Sequence, residues 1–380
     1  MAEFDIEPSH PSYARQADQG VTEDAILFGI EEPMGSFSGD QENFGFRLAF
    51  QEAHDCGPIH GRRIEWRGYP RESGGATAAL AANFRRLIEK DRVFALVNFA
   101  GGDVTDLLVR TSRDARTPYL FPHSGLVSSA GERYLFASYP NLESEARIMF
   151  RFLAQERGVR RIAIAHDPNI YGMFYVERLQ RYAAQFGYAL VGTAPIATRD
   201  PADLTEQMRE LVGSEPEAIF MGLYPAQAKA VMQAKAKLNW TGLMVSSGPL
   251  TDEQYLNLPE GKAEGTLGFC YYPDPNVSSE PGFVAYRAAL ARYCPRWGAN
   301  RYSLYGYVYG KIIIEGLRRT GRDLTRESFI DAMETIENWD AGGIMPNVTF
   351  SKGNHHAQPA GFIGGLRNGR FVPLSDWIQA

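Results

Sequence analysis

The sequence predicts an α/β protein of two lobes, each a largely parallel sheet flanked by helices. From Ala25 onward, short β-rich apolar runs alternate with longer amphipathic stretches, the pattern of strands and helices around a parallel sheet. The alternation restarts near Glu143, and 380 residues are too many for one ordinary core but fit two of roughly 150 to 200 residues each. The last helices precede a separate C-terminal hairpin, so the lobes are expected to be discontinuous in sequence and joined by three crossovers.

The first strand is Ala25 to Ile30. A loop, Glu31 to Gly39, leads into a helix in which Phe44, Leu48 and Ala49 recur at helical spacing until Cys56-Gly57-Pro58 stops it. Arg63 to Trp66 reads as a strand, Ala76 to Lys90 as a helix with Leu80, Phe84, Leu87 and Ile88 on one face, and Val93 to Val97 as a strand. Gly101-Gly102-Asp103 opens the helix Val104 to Ala115, and the strand Pro118 to Phe121 follows. A first sheet of five strands is expected, four of them placed here.

After Asn141 come the helix Glu143 to Arg157, strand Arg161 to His166, helix Gly172 to Phe186, strand Ala189 to Thr193 and helix Leu204 to Val212. Strand Ala218 to Leu223, helix Ala226 to Leu238 and strand Leu243 to Val245 complete a second sheet. Helices then run from Phe283 to Tyr293, Tyr302 to Arg318 and Ser328 to Ile336. In the tail, Asn347 to Phe350 and Gly361 to Val372 read as strands, with Asn368-Gly369 supplying the positive φ values of a tight hairpin.

Composition excludes several functions. The formal charge of −6 with interspersed signs offers no basic stripe for nucleic acid, and no apolar run reaches the roughly 18 residues of a membrane span. Met1 to about Gly20 is polar, without the charged start and apolar core of a secretory signal, which reads as cytoplasmic or as a mature domain lacking its leader. Cys56, Cys270 and Cys294 form no metal-spaced cluster. One disulfide, Cys270 to Cys294, stands against three free thiols. There is no GxSxG, GxxxxGK[ST], HExxH or GxGxxG motif, and adjacent His355 and His356 diverge on a loop, so no enzyme, cofactor or metal is expected.

The candidate residues lie after strands, where open α/β sheets bind ligands. Gly102 and Asp103 stand between a strand end and a helix start, where backbone N–H groups attract an anion; the alternative is a plain turn with Asp103 as helix cap. His123 and Ser124 follow the next strand, and Ser124 can donate to the same anion. Tyr171, Tyr224 and Ser247 follow strands of the second sheet and line its carboxyl edge. Tyr302, Tyr305 and Tyr309 share one helix face, the spacing of a packed face, and only Tyr302 at the helix start is kept as a candidate.

In its motifs the chain resembles the type I periplasmic binding proteins of branched-chain amino acid ABC transporters, the leucine/isoleucine/valine-binding class. The resemblance runs from Gly20 onward. It is carried by Gly20-Val21-Thr22, Ser38-Gly39-Asp40-Gln41, Gly57-Pro58-Ile59-His60-Gly61-Arg62, Leu87 to Val97, Tyr171-Gly172, Glu264-Gly265 and Gly321-Arg322-Asp323-Leu324-Thr325, in that order. It implies two Rossmann-like lobes that hinge shut like a Venus flytrap: 24–142 with 273–346, and 143–272 with 347–380, after an N-terminal extension 1–23. It also implies a monomer in the periplasm that takes a small-molecule ligand between its lobes and delivers it to permease subunits. Gly102 and the His123-Ser124 pair match the family's carboxylate-holding positions, although Gly102 lacks the hydroxyl. Tyr171, Tyr224 and Tyr302 match its ligand tyrosines, and a first-loop tyrosine is replaced by Ser38 beside Phe37.

At Ser247 the sequence departs from the family, whose branched-chain binders place a glutamate there for the ligand's ammonium. An unpaired ammonium in a closed site is costly, so the expected ligand is a carboxylic acid without an α-amine, aromatic or hydrophobic. The competing readings are a hydrophobic amino acid binder, with Asp103 or another residue taking the ammonium, and a cytoplasmic ligand-sensing regulator on the same fold.

Overall fold

A computed structural model of the chain describes residues 19–34, 36–70, 76–100, 102–138, 140–252 and 263–379. The chain divides into two compact units: Met1–Tyr139 with Pro275–Gln358, and Pro140–Asp274 with Pro359–Ala380. It thus passes from one unit to the other three times.

In unit 1, β1 (Ala25–Glu31) is buried along its whole length, because sheet neighbours and helices cover it on both faces. It pairs in parallel with β2 (Arg63–Tyr69) and β3 (Ala95–Val97); β4 (Tyr119–Leu120) and β5 (Leu135–Phe136) extend the parallel sheet in the order β2-β1-β3-β4-β5. The connections are α1 (Phe37–Asp55), α2 (Ala76–Glu89) and α3 (Thr105–Asp114). Leu27, Leu80, Phe84, Leu87, Leu96, Leu108 and Tyr119 pack as one apolar cluster between sheet and helices. The expected loop Glu31 to Gly39 is shorter than the sequence suggests: Ser36 caps α1, accepting from Gly39 N at 3.3 Å, and this puts Phe37 and Ser38 in the first helical turn.

Unit 2 opens with α4 (Leu142–Arg151), capped by Asn141 and extended by a π-helical turn over Phe152–Glu156. There follow β6 (Arg161–His166), α5 (Ile170–Phe186), β7 (Ala189–Pro195), α6 (Thr205–Gly213), β8 (Ala218–Gly222), α7 (Pro225–Lys237), β9 (Leu243–Ser246) and β10 (Leu267–Cys270). These strands are parallel, in the order β10-β9-β8-β6-β7. Neither β5 nor β10 was placed from the sequence: β5 has only two residues, and β10 carries no alternation.

The chain then returns to unit 1 with α8 (Pro281–Tyr293), α9 (Arg301–Thr320) and α10 (Arg326–Met333). Helices α1 and α9 cross with their backbones in contact. A Cβ on Gly45 would lie 2.0 Å from the Ser303 carbonyl oxygen, and one on Gly306 would lie 1.9 Å from that of Glu42, so only glycine permits this crossing. The face of α1 that bears Glu42 is thereby fixed against α9.

Residues 347–358, expected in the second lobe, lie in unit 1. They form isolated bridges rather than a strand: Val348 pairs with Trp339 and His356 with Ala137, which ties the segment to the loop after α10 and to the residue after β5. The tail then joins unit 2's sheet as antiparallel β11 (Ala360–Arg367) and β12 (Arg370–Pro373), with β13 (Ile378–Gln379) on β11. The turn between β11 and β12 has φ of 51° at Asn368 and 72° at Gly369, the left-handed pair such a hairpin requires. Glu264 holds it, accepting from Asn368 N at 3.0 Å and Gly369 N at 2.8 Å.

All three cysteines are free, Cys56 exposed and Cys270 and Cys294 buried, so the entertained disulfide does not form. His355 is buried, stacked on Phe136 with ring centroids 4.2 Å apart, and its Nε2 lies 3.0 Å from Glu334 Oε1, a packing role. Among the described residues, no helix is long and apolar enough to cross a membrane.

Candidate functional site

The carboxyl edge of unit 1's sheet gathers four of the predicted residues. The β1–α1 connection delivers Phe37 and Ser38, the segment after β4 delivers His123, and the start of α9 delivers Tyr302. Ser38 Oγ lies 3.3 Å from His123 Nε2. The Tyr302 ring stands edge-on to Phe37 at 6.4 Å and 6.2 Å from the His123 ring. Phe37 is 44% exposed, unusual for a residue of its size.

Behind His123 lies a residue that the sequence reading missed. Glu42, one helical turn beyond Ser38, is fully buried and accepts from or shares a proton with His123 Nδ1 through Oε2, while its Oε1 has no partner. Burial pushes its carboxyl above the usual range, opposed by the His123 charge and hydrogen bond. The signal was present, since Ser38 and Glu42 share a helix face by their spacing of four. His123, however, meets that face only through the sheet. Deeper in, Asn98 donates to Asn43 Oδ1 at 2.7 Å and Asn43 to the Glu31 carbonyl at 2.6 Å, and Ala100 N donates to Glu31 Oε2 at 3.1 Å. This polar layer fixes the strand ends around the cluster.

The remaining unit 1 candidates stand apart from it in their contacts. Gly102, with φ of +47°, opens a short 3-10 turn before α3 and is exposed; its carbonyl accepts from Thr105 Oγ1 at 2.8 Å. The N-cap position of α3 is Val104, without a side-chain cap; the Asp103 side chain and Gly101 lie outside the described residues. Ser124 Oγ accepts from Leu126 N at 3.2 Å in a local turn, which leaves its proton for donation.

Unit 2 gathers Tyr171, Tyr224 and Ser247. Tyr171 and Ser247 share a hydrogen bond of 2.7 Å between their hydroxyls, and the Tyr171 and Tyr224 rings are 5.5 Å apart. Burial, and next the Glu145 carboxylate, hold the Tyr171 phenol well above its ordinary pKa, so it stays neutral. Three groups absent from the sequence reading build this cluster. Asn169 caps α5 and donates to Tyr224 Oη at 3.1 Å. Arg199 stacks over Tyr224, its guanidinium carbon 4.0 Å from the ring centroid, with Nε 3.6 Å from Asp167. Glu145 on α4 is fully buried, accepting from Tyr175 Oη at 2.6 Å, Gly248 N at 2.9 Å and Tyr271 Oη at 2.7 Å. An acid does therefore reach the residue after Ser247, but its oxygens are spent on protein donors. Arg199 had no readable signal, being one basic residue in a loop after β7.

Tyr305 and Tyr309 are buried, as a packed face requires, and Tyr309 stacks on Phe121 at 4.8 Å. Among the described residues, no group of three His, Cys, Asp or Glu is arranged to hold a metal ion.

The fold is shared with solved solute-binding proteins. A branched chain amino acid ABC transporter protein from Thermus thermophilus with bound valine aligns with TM-score 0.81 at 15% identity, covering 95% of this chain and 97% of its own. A fatty acid ABC transporter substrate-binding protein from Thermomonospora curvata gives 0.80 at 17%, covering 96% and 95%. A leucine binding protein from Thermotoga maritima gives 0.74 at 16%, covering 94% and 99%. No curated relative matches the chain in sequence. These relatives are substrate-binding proteins, not enzymes. The model of the family described as "Periplasmic binding protein" matches residues 29–370, nearly the whole alternating pattern, and the chain belongs to that family.

Proposed function

We propose that the chain is an extracytoplasmic solute-binding protein of an ABC importer, working as a monomer in the periplasm, and that its ligand is a small carboxylate with an aromatic or hydrophobic body. The observation that carries this reading is the unit 1 cluster, where an imidazole and a hydroxyl lie beside two aromatic rings, one of them exposed. Imidazole and hydroxyl groups donate to a carboxylate, and the rings suit an apolar body. Ser124 and the backbone at Gly102 extend the anion site from neighbouring loops. Within unit 2, Tyr171 and Tyr224, with Arg199 stacked over Tyr224, form a second cluster of rings and donors. The fatty acid-binding relative supports a carboxylate on an apolar chain.

A ligand ammonium would need an acid, and Glu145 gives both oxygens to other donors. The same residue supports a second reading, a hydrophobic amino acid, because it stands one hydrogen bond from Gly248. Calorimetry with phenylalanine and 3-phenylpropanoate, which differ by the α-amine alone, separates the two. The acid is expected to bind about ten-fold more tightly or better, a difference of about 1.4 kcal/mol; tighter binding of phenylalanine would establish the second reading.

A further inference from the structure

Glu42 has no contact with solvent, yet it offers one oxygen to a histidine and leaves the other without a partner. A buried carboxylate with unmatched charge is costly, and burial raises the pKa of this one. One extra proton, on the carboxyl oxygen or on the imidazole, removes that charge, so the two groups titrate as a unit. With the proton on His123, the pair is neutral and Nε2 is a donor. Without it the pair carries a net negative charge, Nε2 becomes an acceptor, and the Ser38 hydroxyl at 3.3 Å donates inward to it. The first state receives an anion and the second repels one.

We infer that Glu42 is the positioning residue of the anion site: it keeps His123 available as an imidazolium, so that a carboxylate ligand and one proton are held together and monocarboxylates are selected over their amides. This rests on the carboxylate reading proposed above. Among the described residues, the acids flanking this turn of chain are engaged elsewhere. Asp40 accepts from Met34 N at 2.7 Å, Glu31 from Ala100 N, and Glu32 pairs with Arg47. From α9 the facing group is the Tyr302 ring.

The test is calorimetry of 3-phenylpropanoate from about pH 6 to about pH 9, in buffers of different ionisation enthalpy that report proton uptake. Affinity is expected to be level at low pH and then to fall towards ten-fold per pH unit, while uptake rises towards about one proton per ligand. The corresponding amide should show no such profile. Glu42→Gln removes the charge that retains the proton, so the fall should move to lower pH by about one unit or more. His123→Gln should abolish both the fall and the uptake and weaken binding roughly ten-fold at low pH. A purely structural Glu42 would instead lower affinity equally at every pH.

Binding of the acid with no proton uptake across the range, or an unmoved profile in Glu42→Gln, overturns this inference and leaves the carboxylate reading standing. Failure of the acid to bind at any pH overturns that reading and this inference with it.

Discussion

Behind the carboxyl-edge cluster of each unit lies a fully buried glutamate, Glu42 in unit 1 and Glu145 in unit 2, and the two are satisfied in opposite ways. Glu145 in unit 2 receives two phenols and a backbone N–H, none of which changes charge near neutral pH. Glu42 in unit 1 meets a titratable imidazole and leaves one oxygen without a partner. Burial raises both carboxyls, so the penalty is of the same kind. What differs is the compensation: a fixed network makes a strut, whereas a network with a movable proton makes a responsive site. Burial of an acid is therefore a poor guide to its role until its partners are counted.

The strongest test of this contrast is truncation. Glu145→Ala strands three buried donors at about 1–3 kcal/mol each, so unfolding stability should fall by on the order of 3 kcal/mol or more. Glu42→Ala strands one imidazole N–H on a side chain that is 19% exposed, and the loss should be smaller by about 2 kcal/mol or more, since two fewer donors are stranded and the cavity left is the same size in both. Equal midpoints in urea denaturation would break the contrast.

A smaller effect sharpens it. Glutamine at 145 offers an N–H where Tyr271 Oη now donates, so that phenol must turn to accept and its proton loses this partner, costing about 1–3 kcal/mol. Glutamine at 42 can accept from His123 with its amide nitrogen in the place of Oε1, and stability should stay within about 0.5 kcal/mol of the parent, because the buried charge removed offsets the unpaired N–H and the hydrogen bond is kept. A larger loss at 42 than at 145 would reverse the assignment.

Local pattern made most of the fold legible. Strand β6 was read residue for residue from Arg161 to His166, and the Asn368-Gly369 turn followed from two residues whose backbones tolerate positive φ. What local pattern cannot carry was lost: β5 is a two-residue strand, and Asn347 to Phe350 looks β-like but makes a single bridge, Val348 to Trp339. The site divides along the same line. His123 and Tyr302 were read from their places after a strand and at a helix start, and Phe37 and Ser38 from the resemblance of the first loop to the family's. Glu42 and Glu145 were missed because their meaning comes from partners 81 and 126 residues distant, His123 and Tyr271. Ser124 was read as an anion donor, but its oxygen is also used within its own turn, a competition that sequence position does not reveal.

The hairpin turn of unit 2 carries a consequence for the chemical ageing of the protein. An asparagine followed by glycine is the sequence most prone to lose its side-chain amide, because the unhindered glycine nitrogen can attack the asparagine side chain and close a five-membered imide. Here that nitrogen, Gly369 N, is held 2.8 Å from Glu264 Oε1. Glu264 therefore withholds the nucleophile as well as shaping the turn, and the lifetime of Asn368 is set by a carboxylate 104 residues away. In Glu264→Gln, where the hold on the two amides is weaker, mass spectrometry of protein stored at mildly alkaline pH should show faster conversion of Asn368 to acid; an unchanged rate would mean that the strand geometry alone protects the turn.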